Sequence, residues 1–182
     1  MEVAGEAQNA GECFSLVRKT DCTLVVLDIT LPDRNGFDVL KQLKYEYPKL
    51  PVLILSAHPE DQYGLRLIKA GASGYLMKEG ASDELVKAIR KVNAGGKYVS
   101  ASLAEKLVSQ LGALDKPPHE NLSDREFQIL CMIAEGKTPK DIVDKLRISE
   151  KTVSTYRKRI MEKMRMSTNS DLTRYALENH LV

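Results

Sequence analysis

Thr23-Leu24-Val25-Val26-Leu27-Asp28-Ile29-Thr30-Leu31-Pro32-Asp33-Arg34-Asn35-Gly36 is the stretch whose reading decides the fold of the N-terminal half. Residues 23–27 are continuously apolar or β-branched. A run without polar alternation marks a strand buried on both faces, as in a parallel sheet. The run ends on one carboxylate, Asp28, and breaks into a Pro/Asp/Asn/Gly turn over 31–36. Residues 37–45 resume at helical period, with Phe37, Leu40 and Leu43 on one face.

The pattern repeats downstream. Residues 51–55 form a second buried run ending in Ser56; 61–69 read as a helix stopped by Gly71. Residues 74–77 form a third run ending in Lys78, and 83–93 a helix with Leu85, Ala88, Ile89 and Val92 inward, closed by Gly95 and Gly96. Upstream, 11–19 reads as a helix with Cys13, Leu16 and Val17 as its apolar stripe, and Val3-Ala4 as a very short strand. Strands alternating with helices predict an α/β fold, a doubly wound parallel sheet.

A further amphipathic helix spans 102–111, and 112–121, with Pro117-Pro118, has the composition of an interdomain linker. Beyond it there are no strand signals. Ser123 and Glu126 make a capping box opening a helix to about Ala134. Thr138 precedes a first-turn Pro139 and a helix through Leu146. Arg147-Ile148 is a tight turn, Ser149 caps a helix over 149–165, and a last helix runs from Asn169 or Ser170 to about Asn179. Short helix, tight turn and second helix is the helix-turn-helix pattern.

Charge separates the halves. Net charge is +2, with residues 1–111 neutral and residues 122–182 at +3. Between 151 and 165 there are six Lys or Arg and one acid. Such a stripe on a balanced protein points to a polyanion, where most charge runs are merely solvated faces. Val153, Tyr156, Ile160 and Met164 form the apolar back of this helix. No apolar run approaches a membrane span, and the N-terminus lacks the basic start and apolar run of a signal peptide. The three cysteines are odd in number and match no metal spacing; they read as reduced thiols of a cytoplasmic protein. No P-loop, nucleophile elbow or zinc signature is visible, so an enzyme is not expected.

Two constellations carry chemistry. Asp28, Ser56 and Lys78 each close a parallel strand, at the sheet edge where ligands bind. A carboxylate nucleophile, a hydroxyl and an ammonium there suit a phosphoryl group; strand ends also finish in polar residues merely to face water. The second is the helix over 149–165, whose hydroxyl-plus-cation face favours a DNA major groove.

Leu27 through Phe37, Ile54-Leu55-Ser56-Ala57 and Gly71 through Lys78 resemble the receiver domain of bacterial response regulators. Leu122 through Glu126, Ala134 through Lys137 and Ile148 through Val153 resemble the LuxR-type helix-turn-helix. Together they resemble the NarL/FixJ class over nearly the whole chain. The resemblance implies a flavodoxin-like receiver over 1–98, a linker helix and linker over 99–121, and an all-α four-helix DNA-binding domain over 122–182. It implies Asp28 as phospho-acceptor, Ser56 as switch hydroxyl, Lys78 as phosphate contact and Tyr75 as either a rotating switch aromatic or a core residue. Mg²⁺ would be held by Asp28 and the Thr30 backbone carbonyl, together with an acidic pair. Ser154, Thr155 and Lys158 would face bases, and Lys151, Thr152, Arg157 and Arg159 phosphates. Tyr156 would either pack or touch phosphate. The implied partners are duplex DNA, a sensor histidine kinase or small phosphodonor, and a second copy in a homodimer paired through residues 172–177.

The chain departs from the pattern at its start, where residues 2–6 already match the second receiver strand. The first strand, its helix and the acidic pair are missing. The expectation is a fragment of a longer protein. Alternatives are a strand supplied by another segment or chain, or a phosphorylation-independent regulator gated by a protein partner.

Overall fold

The computed structural model describes residues 1–111 and 117–182, except the side chains of 82, 83, 110 and 111. Of the linker expected over 112–121, residues 112–116 lie outside the described residues. The chain divides into two compact units, Met1–Leu111 and Gly112–Val182.

The first unit is built on three parallel strands, β1 (Val25–Leu27), β2 (Val52–Ser56) and β3 (Gly74–Met77), in the order β1-β2-β3. Register is set by Leu27 opposite Ile54 and Ile54 opposite Tyr75. Its helices are α1 (Ala10–Lys19), α2 (Gly36–Glu46), α3 (Glu60–Lys69), α4 (Ala81–Asn93) and α5 (Ala101–Leu111). β2 is the middle strand, and Val52, Leu53 and Ile54 are wholly buried, as its unbroken apolar run requires. Helix α5 packs on α3. There Leu103 is buried, and the absence of a side chain on Gly64 makes room for it.

Two expectations change. Val3-Ala4 is not a strand: residues 1–7 carry no strand or helix, and Met1 and Val3 are exposed. Among the described residues β1 pairs with β2 alone, so its other edge is open, and residues 1–7 do not pair with it. Conversely, the sheet continues past β3 at a place the pattern does not announce. Tyr75 N donates to Tyr98 O at 2.8 Å and Tyr98 N to Ser73 O at 3.1 Å, a parallel bridge of Gly74 with Tyr98.

The second unit is helical: a 3-10 turn (Pro118–Asn121), then α6 (Asp124–Ala134), α7 (Pro139–Leu146), α8 (Glu150–Met164) and α9 (Asn169–Glu178). Capping boxes open three of these helices, pairing Ser123 with Glu126, Thr138 with Asp141 and Thr168 with Asp171. Phe127, Leu130, Ile142, Val153, Ile160, Met164, Leu172 and Ala176 are buried among the four helices. α7 and α8 both end on an arginine in the left-handed conformation, Arg147 (φ 51°) and Arg165 (φ 55°), where glycine is the usual residue. A cation at a helix C-terminus offsets part of that strain.

Candidate functional site

The parallel strands deliver three side chains to one edge of the sheet. Asp28 follows β1, Ser56 ends β2 and Lys78 follows β3. Lys78 Nζ lies 2.6 Å from Asp28 Oδ2, with side chains 47% and 28% exposed. Thr30 N donates to Asp28 Oδ1 at 2.8 Å. The structure therefore brings Asp28 and Lys78 into direct contact and leaves the carboxylate open to water on one side. Ser56 is fully buried. Its Oγ accepts from His58 N at 3.0 Å and its carbonyl from Lys78 N at 2.7 Å. The hydroxyl thus braces the loop after β2, and the carbonyl fixes the backbone of Lys78.

Tyr75 lies in β3, 3% exposed, and its hydroxyl donates to His58 O at 2.7 Å. Burial pushes the phenol up to about 12, Glu60 and Asp28 add to the rise, and a hydrogen bond with Ser56 opposes it. The ring is a core residue hydrogen-bonded to the same loop that Ser56 braces. His58 meets Tyr63 edge-on at 5.1 Å.

Asp33 does not join the site. Both its oxygens accept from Ala10 N, at 3.1 and 3.0 Å. The described residues thus offer a metal one carboxylate, Asp28, already engaged at both oxygens, and the Thr30 carbonyl. No three His, Cys, Asp or Glu side chains among the described residues cluster to hold an ion. Asp28 and the Thr30 carbonyl would fill two of the six positions of an octahedral Mg²⁺, whose other oxygens come commonly from water and phosphate.

The other candidate surface is α8. Val153, Ile160 and Met164 are buried, while Lys151, Ser154, Thr155, Arg157, Lys158 and Arg159 are exposed, and Thr152 and Tyr156 are half-buried. Ser149 Oγ accepts from Thr152 N at 3.1 Å and caps the helix. Thr155 Oγ1 donates to Lys151 O at 2.9 Å. Lys158 Nζ is 3.9 Å from Glu162 Oε1, both largely in water. Arg157 Nε donates to Asn169 Oδ1 at 2.7 Å. Lys163 Nζ reaches Glu126 Oε2 at 2.6 Å and ties α8 to α6. The sequence reading did not include Asn169 on this face, because a contact between the middle of one helix and the start of the next follows no period.

Comparison with known proteins agrees with both halves. Residues 1–90 match the response regulator receiver domain, and residues 120–176 the bacterial regulatory proteins of the luxR family. The chain is 35% identical over 184 residues to response regulator GacA of Pseudomonas aeruginosa, covering all of this chain and 86% of that protein. It is 34% identical over 184 residues to transcriptional regulatory protein LiaR of Bacillus subtilis, covering 100% and 87%. A solved structure of the RcsB response regulator of Salmonella typhimurium superposes with TM-score 0.65 at 23% identity, over 98% of this chain and 84% of that one, a likeness of fold. The chain belongs to the two-component response regulators that join a receiver domain to a luxR-family helix-turn-helix DNA-binding domain.

Proposed function

We propose that the protein is a phosphorylation-controlled transcription regulator in which Asp28 accepts the phosphoryl group and α8 reads DNA. The observation that carries the first part is the 2.6 Å contact of Lys78 with Asp28 at the open edge of the sheet. A carboxylate oxygen of Asp28 attacks phosphorus, the bond from phosphorus to the donor breaks, and the donor leaves with that electron pair. Lys78 neutralises the added negative charge on the phosphoryl oxygens. Ser56 and Tyr75 respond through the loop at His58, to which both are hydrogen-bonded. Asp28 and the Thr30 carbonyl would hold a Mg²⁺ ion, which would supply further neutralisation of the phosphoryl oxygens.

In the same reading, residues 1–98 are the receiver, 99–121 the connection and 122–182 the DNA-binding domain. Ser154, Thr155 and Lys158 face base edges; Lys151, Thr152, Arg157 and Arg159 hold phosphates, with Tyr156 beside them. A dimer would place two copies of α8 in major grooves about one helical turn apart. A sensor kinase or small phosphodonor supplies the phosphoryl group in the cytoplasm. Among the described residues no helix is long and apolar enough to cross a membrane.

Mass spectrometry after treatment with acetyl phosphate, with and without Mg²⁺, tests the reading. One phosphoryl mass on the wild type and none on Asp28→Ala is expected. An Asp28→Ala variant whose DNA binding no longer responds to phosphodonor, where the wild type does, completes it. Unmodified wild type in both conditions would overturn the proposal for this chain.

A further inference from the structure

Arg157 and Asn169 lie twelve residues apart, on different helices, and meet through one hydrogen bond from Arg157 Nε to Asn169 Oδ1. A guanidinium has only hydrogens to give. The amide oxygen of Asn169 must therefore be the atom facing it, which fixes the amide's orientation by chemistry and turns the Nδ2 hydrogens away from Arg157. Both residues are exposed. Asn169 is the first residue of α9, and the Thr168–Asp171 capping box holds that helix start in place. Among the described residues Arg157, like Lys151, Arg159 and Arg165, faces no acid. Lys158 is set against Glu162 and Lys163 against Glu126, whereas Arg157 makes no ion pair among the described residues. Its partner is a neutral amide, so the full charge and the Nη hydrogens remain for an outside anion.

We propose that Arg157 and Asn169 form a single phosphodiester-binding site that extends the DNA interface from α8 onto the start of α9. Arg157 supplies the charge. Asn169 positions the guanidinium plane through Nε and donates from Nδ2 to the same phosphate. The inference rests on α8 being the DNA-reading helix.

Binding of a fluorescent random-sequence duplex, followed by anisotropy across a KCl series, tests it on the full chain. Arg157→Ala should weaken binding about 10-fold and reduce the steepness of the salt dependence by about one ion. Asn169→Ala should weaken it about 3- to 5-fold, as loss of one hydrogen-bonded contact does. In Arg157→Ala/Asn169→Ala the loss should be less than the product of the two, because the residues act together. Asn169→Asp decides the role. It still accepts from Nε, so a tie that merely braced the helices would survive, yet it lacks the donor and adds a negative charge. It should bind more weakly than Asn169→Ala while melting at the wild-type temperature; should Asn169→Ala melt early, Asn169→Asp carries the test. Wild-type affinity in Asn169→Asp, with Arg157→Ala and Lys158→Ala both weakened, would overturn this inference alone. Wild-type affinity and salt dependence in Arg157→Ala and Lys158→Ala would overturn the reading of α8 and this inference with it.

Discussion

Asp33 caps α1 from outside it: its two carboxylate oxygens lie 3.1 and 3.0 Å from Ala10 N, the first residue of the helix. Arg34, next in the chain, lies over the Phe14 ring at 6.0 Å. The loop that leaves Asp28 is thus clasped to α1 at two points. The Ala10 N–H is the main cause that holds the Asp33 carboxyl below its ordinary 3.8; burial opposes it, and the amides of Asp33 itself, Gly11 and Arg34 lower it further. A depressed folded pKa stabilises above the unfolded value and ceases to do so as pH falls through the folded one. Hydrogen exchange should therefore show the Ala10 amide better protected in wild type than in Asp33→Asn near neutral pH. The two should converge in strong acid; equal protection at neutral pH would show that the clasp is not formed.

The Lys78–Asp28 pair is half in water, so it should stabilise the fold by less than about 1 kcal/mol. Lys78→Ala and wild type should accordingly melt within a few degrees of each other. The same variant should accumulate much less aspartyl phosphate from acetyl phosphate, read on a phosphate-affinity gel, because nothing then neutralises the added oxygens. A large drop in melting temperature with unchanged phosphorylation would make Lys78 a structural residue.

The strands and helices were legible wherever the apolar period was long. β2 and β3 begin and end within a residue of the apolar runs, and all nine helices described fall where the periods and caps place them. What pattern could not show is contact across the chain. Asp33 reads in sequence only as a turn residue after Asp28, and only the fold turns its carboxylate onto a helix start. Ser56 reads in sequence as a hydroxyl for the phosphoryl group, and in the fold its Oγ accepts from His58 N. Tyr98 joins the sheet for one residue, too short a stretch for any period to register.

Gly36 makes a related demand that sequence registers only as a turn. A side-chain carbon there would press on Ile29 Cα and stand 2.8 Å from its carbonyl oxygen. The obstacle is backbone, which cannot rotate away. Gly36→Ala should destabilise the first unit by about 1–3 kcal/mol, in the range of overpacked cores. Because Ile29 adjoins Asp28, it should also slow phosphorylation at temperatures where the variant remains folded. Chemical denaturation and the gel assay read the two effects separately.

Glu126 carries more of the second unit's stability than its surface neighbours do. Its side chain is 3% exposed, accepts from Ser123 N at 2.8 Å and holds Lys163 Nζ at 2.6 Å. Burial works to raise its pKa, but the Lys163 and Ser123 hydrogen bonds outweigh that and the net shift is downward. Glu126→Ala leaves the Ser123 cap and the Lys163 ammonium without their acceptor and should cost about 2–3 kcal/mol, below the figure for fully buried pairs because Lys163 is half exposed. The folded pKa is the lower one, so the contribution is present above the unfolded value of 4.5 and is lost as pH falls through the folded one. Urea titrations of wild type and Glu126→Gln should differ most at neutral pH and draw together in acid. A gap that does not narrow in acid would mean that the carboxylate charge contributes nothing.

Ser154 and Thr155, the two α8 hydroxyls proposed to face bases, should not read them alike. Thr155 gives its proton to Lys151 O, so it can only accept from a base, whereas the exposed Ser154 makes no side-chain hydrogen bond among the described residues. A hydroxyl that only accepts suits the amino group of adenine or cytosine. Thr155→Val, which keeps the shape and removes the acceptor, should relax selection at one amino-bearing base while leaving non-specific affinity near wild type. Lys158 faces the opposite change: Glu162, 3.9 Å away, competes with DNA for its charge. Glu162→Gln should raise non-specific affinity a few-fold and steepen the salt dependence, and Lys158→Ala should cost about 1–3 kcal/mol at the preferred site. Selection from a randomised duplex pool, compared across the three variants, would show the assignments to be wrong if Thr155→Val recovers the wild-type motif unchanged.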